Sequence, residues 1–235
     1  MLSVRGLTAR YGSITALRDA SLDVAAGELV GVVGPNGAGK STLMNAVIGA
    51  LRPSSGRVEL EGRDVTGLSP DRMLRLGVAL VPERRRLFAD LTVEENLLVA
   101  GVTVARADRR SRVEALPDLF PVLRKRWRFP AGYLSGGEAQ QLAIARALVS
   151  EPRVLLMDEP TLGLAPVMVD VLFELVARLH VEGRTLVVVE QNARQLLELA
   201  DRAYLLRTGD VVFEGAAAEL AGHPDLFDVY LGVEP

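Results

Sequence analysis

The chain contains no cysteine. Disulfides, thiolate metal sites and cysteine nucleophiles are therefore excluded. Long apolar runs are missing too. The richest, Leu29–Val33 and residues 154–157 and 186–189, are strand-sized, far short of the ~20 residues needed to cross a bilayer. Residues 1–10 alternate apolar and polar and lack the apolar core of a signal peptide. The expectation is a chain that works on the cytoplasmic side and meets a membrane only through a partner. A basic excess is also absent. Lys and Arg number 27 against 30 Asp and Glu, for a net charge of -3, which speaks against a nucleic-acid partner. The short runs Arg84-Arg85-Arg86 and Arg124-Lys125-Arg126 are too small to change that, and read as solvated faces or local anion contacts.

What remains is 235 residues, the size of one large α/β domain, with a globular balance of 49% hydrophobic and 24% charged residues. Segments 2–5 and 20–24 alternate with period two and predict half-buried antiparallel strands. Gly27-Glu28 turns the chain into Leu29–Val33, apolar on both faces as in a buried parallel strand. A glycine-rich loop follows, then a helix over about 41–51, ended by Pro53-Ser54-Ser55-Gly56. Segments 57–60 and 78–81 predict further strands.

Between about 87 and 149 the strand runs vanish. Thr92-Val93-Glu94-Glu95 has capping-box spacing and predicts a helix start. Residues 107–116 predict a second, polar helix closed by Pro117, and the basic, aromatic stretch 124–129 leads to Pro130. Strand character returns at 154–157 and 185–189, around an amphipathic helix at 166–180. A helix at 193–199 follows, then a hairpin of 204–206 and 211–213 about Gly209-Asp210, then a helical tail at 216–232. No internal repeat or low-complexity linker appears. The expected architecture is α/β, a single domain over 1–235. Its core spans about 1–86 and 150–235, with an N-terminal antiparallel β subdomain, a mainly parallel sheet, and an α-helical subdomain inserted at about 87–149.

Gly34-Pro35-Asn36-Gly37-Ala38-Gly39-Lys40-Ser41 fits G-x-x-x-x-G-K-[ST] and lies between a buried strand and a helix, where a phosphate cradle belongs. Glycines let backbone N–H groups converge on phosphate oxygens, and the helix start adds partial positive charge. Lys40 can neutralise the β- and γ-phosphates, and the Ser41 hydroxyl can ligate Mg²⁺. The core is thus expected to be of the P-loop NTPase kind. Four apolar residues at 154–157 end in Asp158-Glu159. Asp158 is placed to hold Mg²⁺, and Glu159, one residue closer to the γ-phosphate, to polarise the attacking water as a general base.

P-loops serve kinases, GTPases, helicases and transporters alike. Leu134-Ser135-Gly136-Gly137-Glu138 discriminates among them. Ser135 and Glu138 have capping-box spacing, and Gly136-Gly137 leaves the backbone open where a helix of about 137–150 begins. This is a second anion-seeking helix start in one chain. One nucleotide does not easily fill both, so a dimer is inferred in which each chain's second site closes over the other's phosphates.

At these residues the chain resembles a known family, the nucleotide-binding subunits of ATP-binding-cassette (ABC) transporters, over nearly its whole length. Residues 34–42, 134–138 and Asp158-Glu159 stand in the family's order. The resemblance implies ATP and Mg²⁺ as ligands, with Thr42 completing the cradle. It implies two ATP molecules held head to tail between two such subunits, with Ser135 and Gly137 reaching the γ-phosphate across the dimer. It also puts Tyr11 at the position of the aromatic residue that stacks on adenine, flat π face against flat π face. The plain alternative is a partly buried strand tyrosine.

Two positions depart from the family's common pattern. Glu83 stands where a glutamine usually touches Mg²⁺ and water beside the membrane subunit; an ionised Glu83 still ligates metal but cannot donate a hydrogen bond. Gln191 stands where a histidine usually grips the γ-phosphate; its amide can donate but never becomes cationic. His180 and His223 lie elsewhere and read as surface residues. The segments at 81–88, 91–97 and 189–193, Leu162-Gly163-Leu164-Ala165-Pro166 and Tyr230-Leu231-Gly232 together are similar to the smaller ATPase of branched-chain amino acid importers. That resemblance implies a second ATPase subunit, either a different chain or another copy. It also implies two transmembrane permease subunits, an extracytoplasmic substrate-binding protein, and a place on the cytoplasmic face of the membrane. A urea or short-amide importer shares much of the pattern. A soluble cassette ATPase of translation or DNA repair would show fused cassettes, long coiled-coil insertions or a zinc hook, and this chain has none. A scaffold with a decayed nucleotide site is opposed by intact Lys40, Asp158 and Glu159.

Overall fold

The computed structural model describes residues 1–191 and 193–222. The chain opens with a long hairpin, β1 (Leu2–Tyr11) and β2 (Ile14–Val24). Both strands run well past the alternating segments that announce them, because bulges between Val4 and Leu7 and between Leu7 and Ala9 reset the alternation. Leu2, Val4, Leu7 and Ala9 all stay buried across those shifts. β3 (Leu29–Val33) leads through the glycine-rich loop into α1 (Lys40–Val47). This helix stops short of the expected Leu51: Ile48 caps it and Gly49, at φ 80, turns the chain away.

Next come β4 (Ser55–Leu60), the short β5 (Arg63–Asp64), α2 (Pro70–Arg75) with its proline at the first helical position, and β6 (Val78–Val81). Four helices then follow without a strand: α3 (Val93–Ala100), α4 (Arg106–Leu119), α5 (Pro121–Lys125) and α6 (Gly136–Leu148). Pro117 does not close α4, as its sequence suggests, but lies inside it. A proline in the last turn removes a single N–H, and Phe120 N–H still reaches the Leu116 carbonyl at 2.9 Å. The break comes at Pro121.

β7 (Val154–Asp158), α7 (Pro166–Val181), β8 (Thr185–Glu190), α8 (Ala193–Leu199), β9 (Arg202–Arg207), β10 (Asp210–Ala216) and α9 (Ala217–Ala221) complete the described chain. The described part of the expected helical tail is α9, which Gly222 caps; residues 223–232 of that tail, with His223 and the Tyr230-Leu231-Gly232 ending, and Asn192 lie outside the described residues.

The strands form two sheets. One is antiparallel, in the order β2-β1-β4-β5. The other runs β10-β9-β3-β8-β7-β6, parallel except for the edge strand β10. Its central strands are apolar on both faces because both faces are covered. Leu29 and Val33 of β3, Leu155 and Met157 of β7, and Leu186 and Val188 of β8 pack into the core beneath α3–α8. The alternate residues Val30, Val32, Val154, Leu156, Val187 and Val189 pack with α1 and the antiparallel sheet. Each such side chain contributes about 1.5–3 kcal/mol. That packing holds the carboxyl ends of β3, β8 and β7 side by side, and the polar residues at those ends make the site.

Candidate nucleotide site

Gly39, the N-cap of α1, has φ 105, and a Cβ there would sit 2.6 Å from the Ala16 carbonyl oxygen. Only glycine closes this turn. The β9–β10 turn braces the loop: Gly209 N–H donates to the Ala38 carbonyl at 2.9 Å. No side chain caps α1, so its first amides are free to meet an anion.

Lys40 is only 4% exposed. Its Nζ donates to the carbonyls of Gly34 (2.8 Å) and Pro35 (3.1 Å) and lies 3.2 Å from Glu159 Oε1. The Ser41 hydroxyl donates to Asp158 Oδ1 at 3.1 Å. Asp158 ends β7, one strand removed from β3. Burial pushes its carboxyl up to about 6; Glu159 and Glu83 push the same way, while Ser41 and Lys40 oppose them. Oxygen donors crowded until they repel one another suit a hard cation. By that test Ser41, Asp158 and Glu83 fit Mg²⁺.

Glu159 follows in left-handed backbone, φ 46, a conformation rare outside glycine. Its N–H donates to the Val189 carbonyl at 2.9 Å, and its own carbonyl accepts from Leu162 N–H at 3.1 Å. This turn aims the carboxylate at Lys40.

A cavity of about 400 Å³ is lined by Ala16, residues 36–42, Glu83, Glu159 and Leu162. The fold therefore gathers Asn36, Gly37, Ala38, Gly39, Lys40, Ser41, Thr42, Glu83 and Glu159 around one space, with Asp158 behind Ser41. Gly34 and Pro35 serve from outside it, through carbonyls that hold Lys40. Tyr11 and Gln191 do not line it. Tyr11 is half exposed at the end of β1, opposite Ile14, and Gln191 is exposed just beyond β8.

Leu134, Ser135, Gly136, Gly137 and Glu138 do not line it either. Ser135 caps α6 in a complete capping box: Glu138 N–H donates to Ser135 Oγ at 3.3 Å, and Ser135 N–H donates to Glu138 Oε2 at 2.9 Å. That backbone bond, with Arg126 beside it, holds the Glu138 carboxyl below its ordinary range against a burial effect. A Cβ at Gly137 would meet the Met168 side chain, Cε at 2.3 Å, so that flexible side chain would have to shift.

A second cavity, about 570 Å³, opens between the sheet and the helices. Leu74, Val99, Val102 and Ala147 give it apolar walls, and Arg84, Arg85, Arg86 and Arg146 line it with positive charge. Arg85 and Arg86 are both left-handed, φ 46 and 48. Arg85 Nε donates to Gln140 Oε1 at 2.9 Å and so ties this loop to α6. Arg146 stacks over the Phe88 ring at 5.3 Å. The two cavities share Ser41 and Glu83.

His180 is partly buried, not simply on the surface: its Nε2 lies 3.0 Å from Asp201, away from the phosphate cradle. Sequence reading assigned no role to Glu190, the last residue of β8. It is 2% exposed, and its Oε1 accepts from Thr161 N–H at 2.9 Å. Burial pushes this carboxyl up to about 7; Thr161 opposes the shift and Glu159 adds to it. The available signal was a charge directly continuing an unbroken apolar strand.

A buried strand feeding a glycine loop and helix, with an acid from the strand next but one, defines a P-loop nucleotide-binding protein. The capped α6 start is a second motif, beyond what that class requires. Residues 17–162 match the ABC transporter family model. BraG of Pseudomonas aeruginosa, a high-affinity branched-chain amino acid transport ATP-binding protein, is 46% identical, the match covering 99% of this chain and 100% of BraG. A probable branched-chain amino acid transport ATP-binding protein, LivF of Archaeoglobus fulgidus, is 41% identical over 99% of each. A dimeric ATP-binding cassette solved in a post-hydrolysis state with ADP and phosphate superposes with a TM-score of 0.82 at 26% identity, over 92% of this chain and 99% of that one. The chain belongs to the ABC transporter family as one of its ATP-binding subunits, and its reaction is ATP hydrolysis.

Proposed function

We propose that this chain energises uptake of branched-chain amino acids as one ATPase of a membrane importer, seated on the cytoplasmic face. The observation that carries the reading is its full-length likeness to BraG and LivF. Its partners in this reading are a second cassette, either a different chain or another copy, and two transmembrane permease subunits. An extracytoplasmic binding protein delivers the substrate.

ATP phosphates enter the cavity at residues 36–42, where backbone amides and Lys40 meet them. Incoming phosphate competes for the Lys40 ammonium and frees the Glu159 carboxylate, now 3.2 Å away, to take a proton from water. Ser41, Asp158 and Glu83 would hold Mg²⁺, which would neutralise charge on the phosphate oxygens. Tyr11 stacks on adenine. A partner's capped helix start closes the site against water, and this chain's Ser135, Gly136 and Gly137 do the same for the partner. Leu134 and Glu138 hold that helix start in place. Gln191, the residue after β8, donates to the γ-phosphate. The basic cavity receives a short helix from a permease. Because Ser41 and Glu83 line both cavities, that helix acts on the metal site through shared walls.

The test is to extract the chain from its own membranes in mild detergent and identify its companions. A second P-loop chain with two apolar membrane chains, plus a cognate binding protein that takes leucine, isoleucine and valine in titration, supports the reading. A binding protein that takes urea instead refutes the substrate but keeps the importer. Ribosomal or DNA-associated companions refute both.

A further inference from the structure

We infer that Glu190 is a positioning residue for hydrolysis: its carboxyl pins the Thr161 amide and thereby holds the Glu159 turn in its left-handed, reactive geometry. The inference rests on Glu159 as the general base.

The turn begins at Glu159-Pro160-Thr161. Pro160 has no N–H, so the amides of Glu159 and Thr161 are the two that can anchor it. Both are donated to β8. Glu159 N–H bonds the Val189 carbonyl and Thr161 N–H bonds Glu190 Oε1, each at 2.9 Å. The strand between β3 and β7 therefore grips the turn at two successive residues, one through backbone and one through a side chain. The backbone grip is generic to any sequence. The side-chain grip needs an acceptor of this length at this position to meet the part-buried Thr161 N–H. Glu159 sits at φ 46, a conformation that persists only where its surroundings over-determine it. Without the second anchor the turn relaxes and the carboxylate leaves its place beside Lys40. Glu190 also pairs in register with Val33, the last residue before the phosphate loop, so one residue joins both halves of the site.

Reach and charge separate in two substitutions. Glu190→Gln keeps an oxygen acceptor at the same length and removes the acid. Glu190→Asp keeps the acid and withdraws it by one methylene. ATPase assays on the whole chain should show Glu190→Gln retaining kcat within about threefold. Glu190→Asp should lose at least about tenfold in kcat, with the KM for ATP within about twofold. Hydrogen exchange at the Thr161 amide should quicken in Glu190→Asp and stay slow in Glu190→Gln. Loss of activity in Glu190→Gln, alone or together with Glu190→Asp, overturns the inference, and so does wild-type kcat in both. A Glu159→Gln control separates the two readings. If it keeps wild-type turnover, the base assignment fails on its own, and the Thr161 exchange rates still decide whether Glu190 anchors the turn.

Discussion

Replacing Glu190 by Gln should change how stability depends on pH, with a sign and size that follow from its burial. In the folded chain the carboxyl titrates near 7, against an ordinary value of 4.5. Such a displacement is worth about 3 kcal/mol. Below pH 4.5 the group is protonated whether folded or unfolded, so it imposes no penalty. Between 4.5 and 7 the folded chain keeps the proton that the unfolded chain has lost, and stability falls as pH rises. Above 7 the folded chain carries the buried charge and the full cost. Glutamine matches the protonated carboxyl in shape and cannot ionise. The wild type should therefore lose about 3 kcal/mol relative to Glu190→Gln between pH 4.5 and 8, with little further change beyond. Urea unfolding of both proteins in EDTA, across that range, reads the difference, because the two chains share every other ionisable group. A difference flat to within about 1 kcal/mol, or one favouring the wild type as pH rises, refutes the reasoning.

Other outcomes follow from the same geometry. Glu159→Gln should lower kcat by about 10²–10⁴ while ATP still binds in calorimetry; undiminished turnover would remove the proposed base. Lys40→Ala deletes the ammonium held by Gly34, Pro35 and Glu159 and should weaken ATP binding by about 1.5–3 kcal/mol, measured by the same titration. Ser135→Ala removes the α6 cap and should cost about 1 kcal/mol of stability, seen as a melting shift of about 2–4 °C. Its loss of turnover should exceed what that destabilisation explains. Leu142→Ala empties a fully buried site on α6 and should cost about 2–5 kcal/mol, measured by denaturant unfolding.

Much of this protein was readable along the chain because its cues are local. The glycine spacing at 34–39, the apolar runs of β3, β7 and β8, and the capping boxes at Thr92 and Ser135 involve residues within a few positions of one another. Backbone sterics and helix-end hydrogen bonds act over that same range. Element ends were less legible. Gly49 ended α1 before Pro53 could, and α4 absorbed Pro117 in its last turn. The strand order β10-β9-β3-β8-β7-β6 was beyond any local pattern. It brings Lys40 to Glu159, Ser41 to Asp158 and Glu190 to Thr161, and the packing of α6 brings Arg85 to Gln140, pairs separated by tens to more than a hundred residues. Sequence by itself determined which groups can handle phosphate, since that depends on residue type and close spacing. Only the tertiary structure decided which carboxylates are buried, which repel one another, and that Glu190 belongs to the site, because burial and charge proximity arise only once the sheet has assembled.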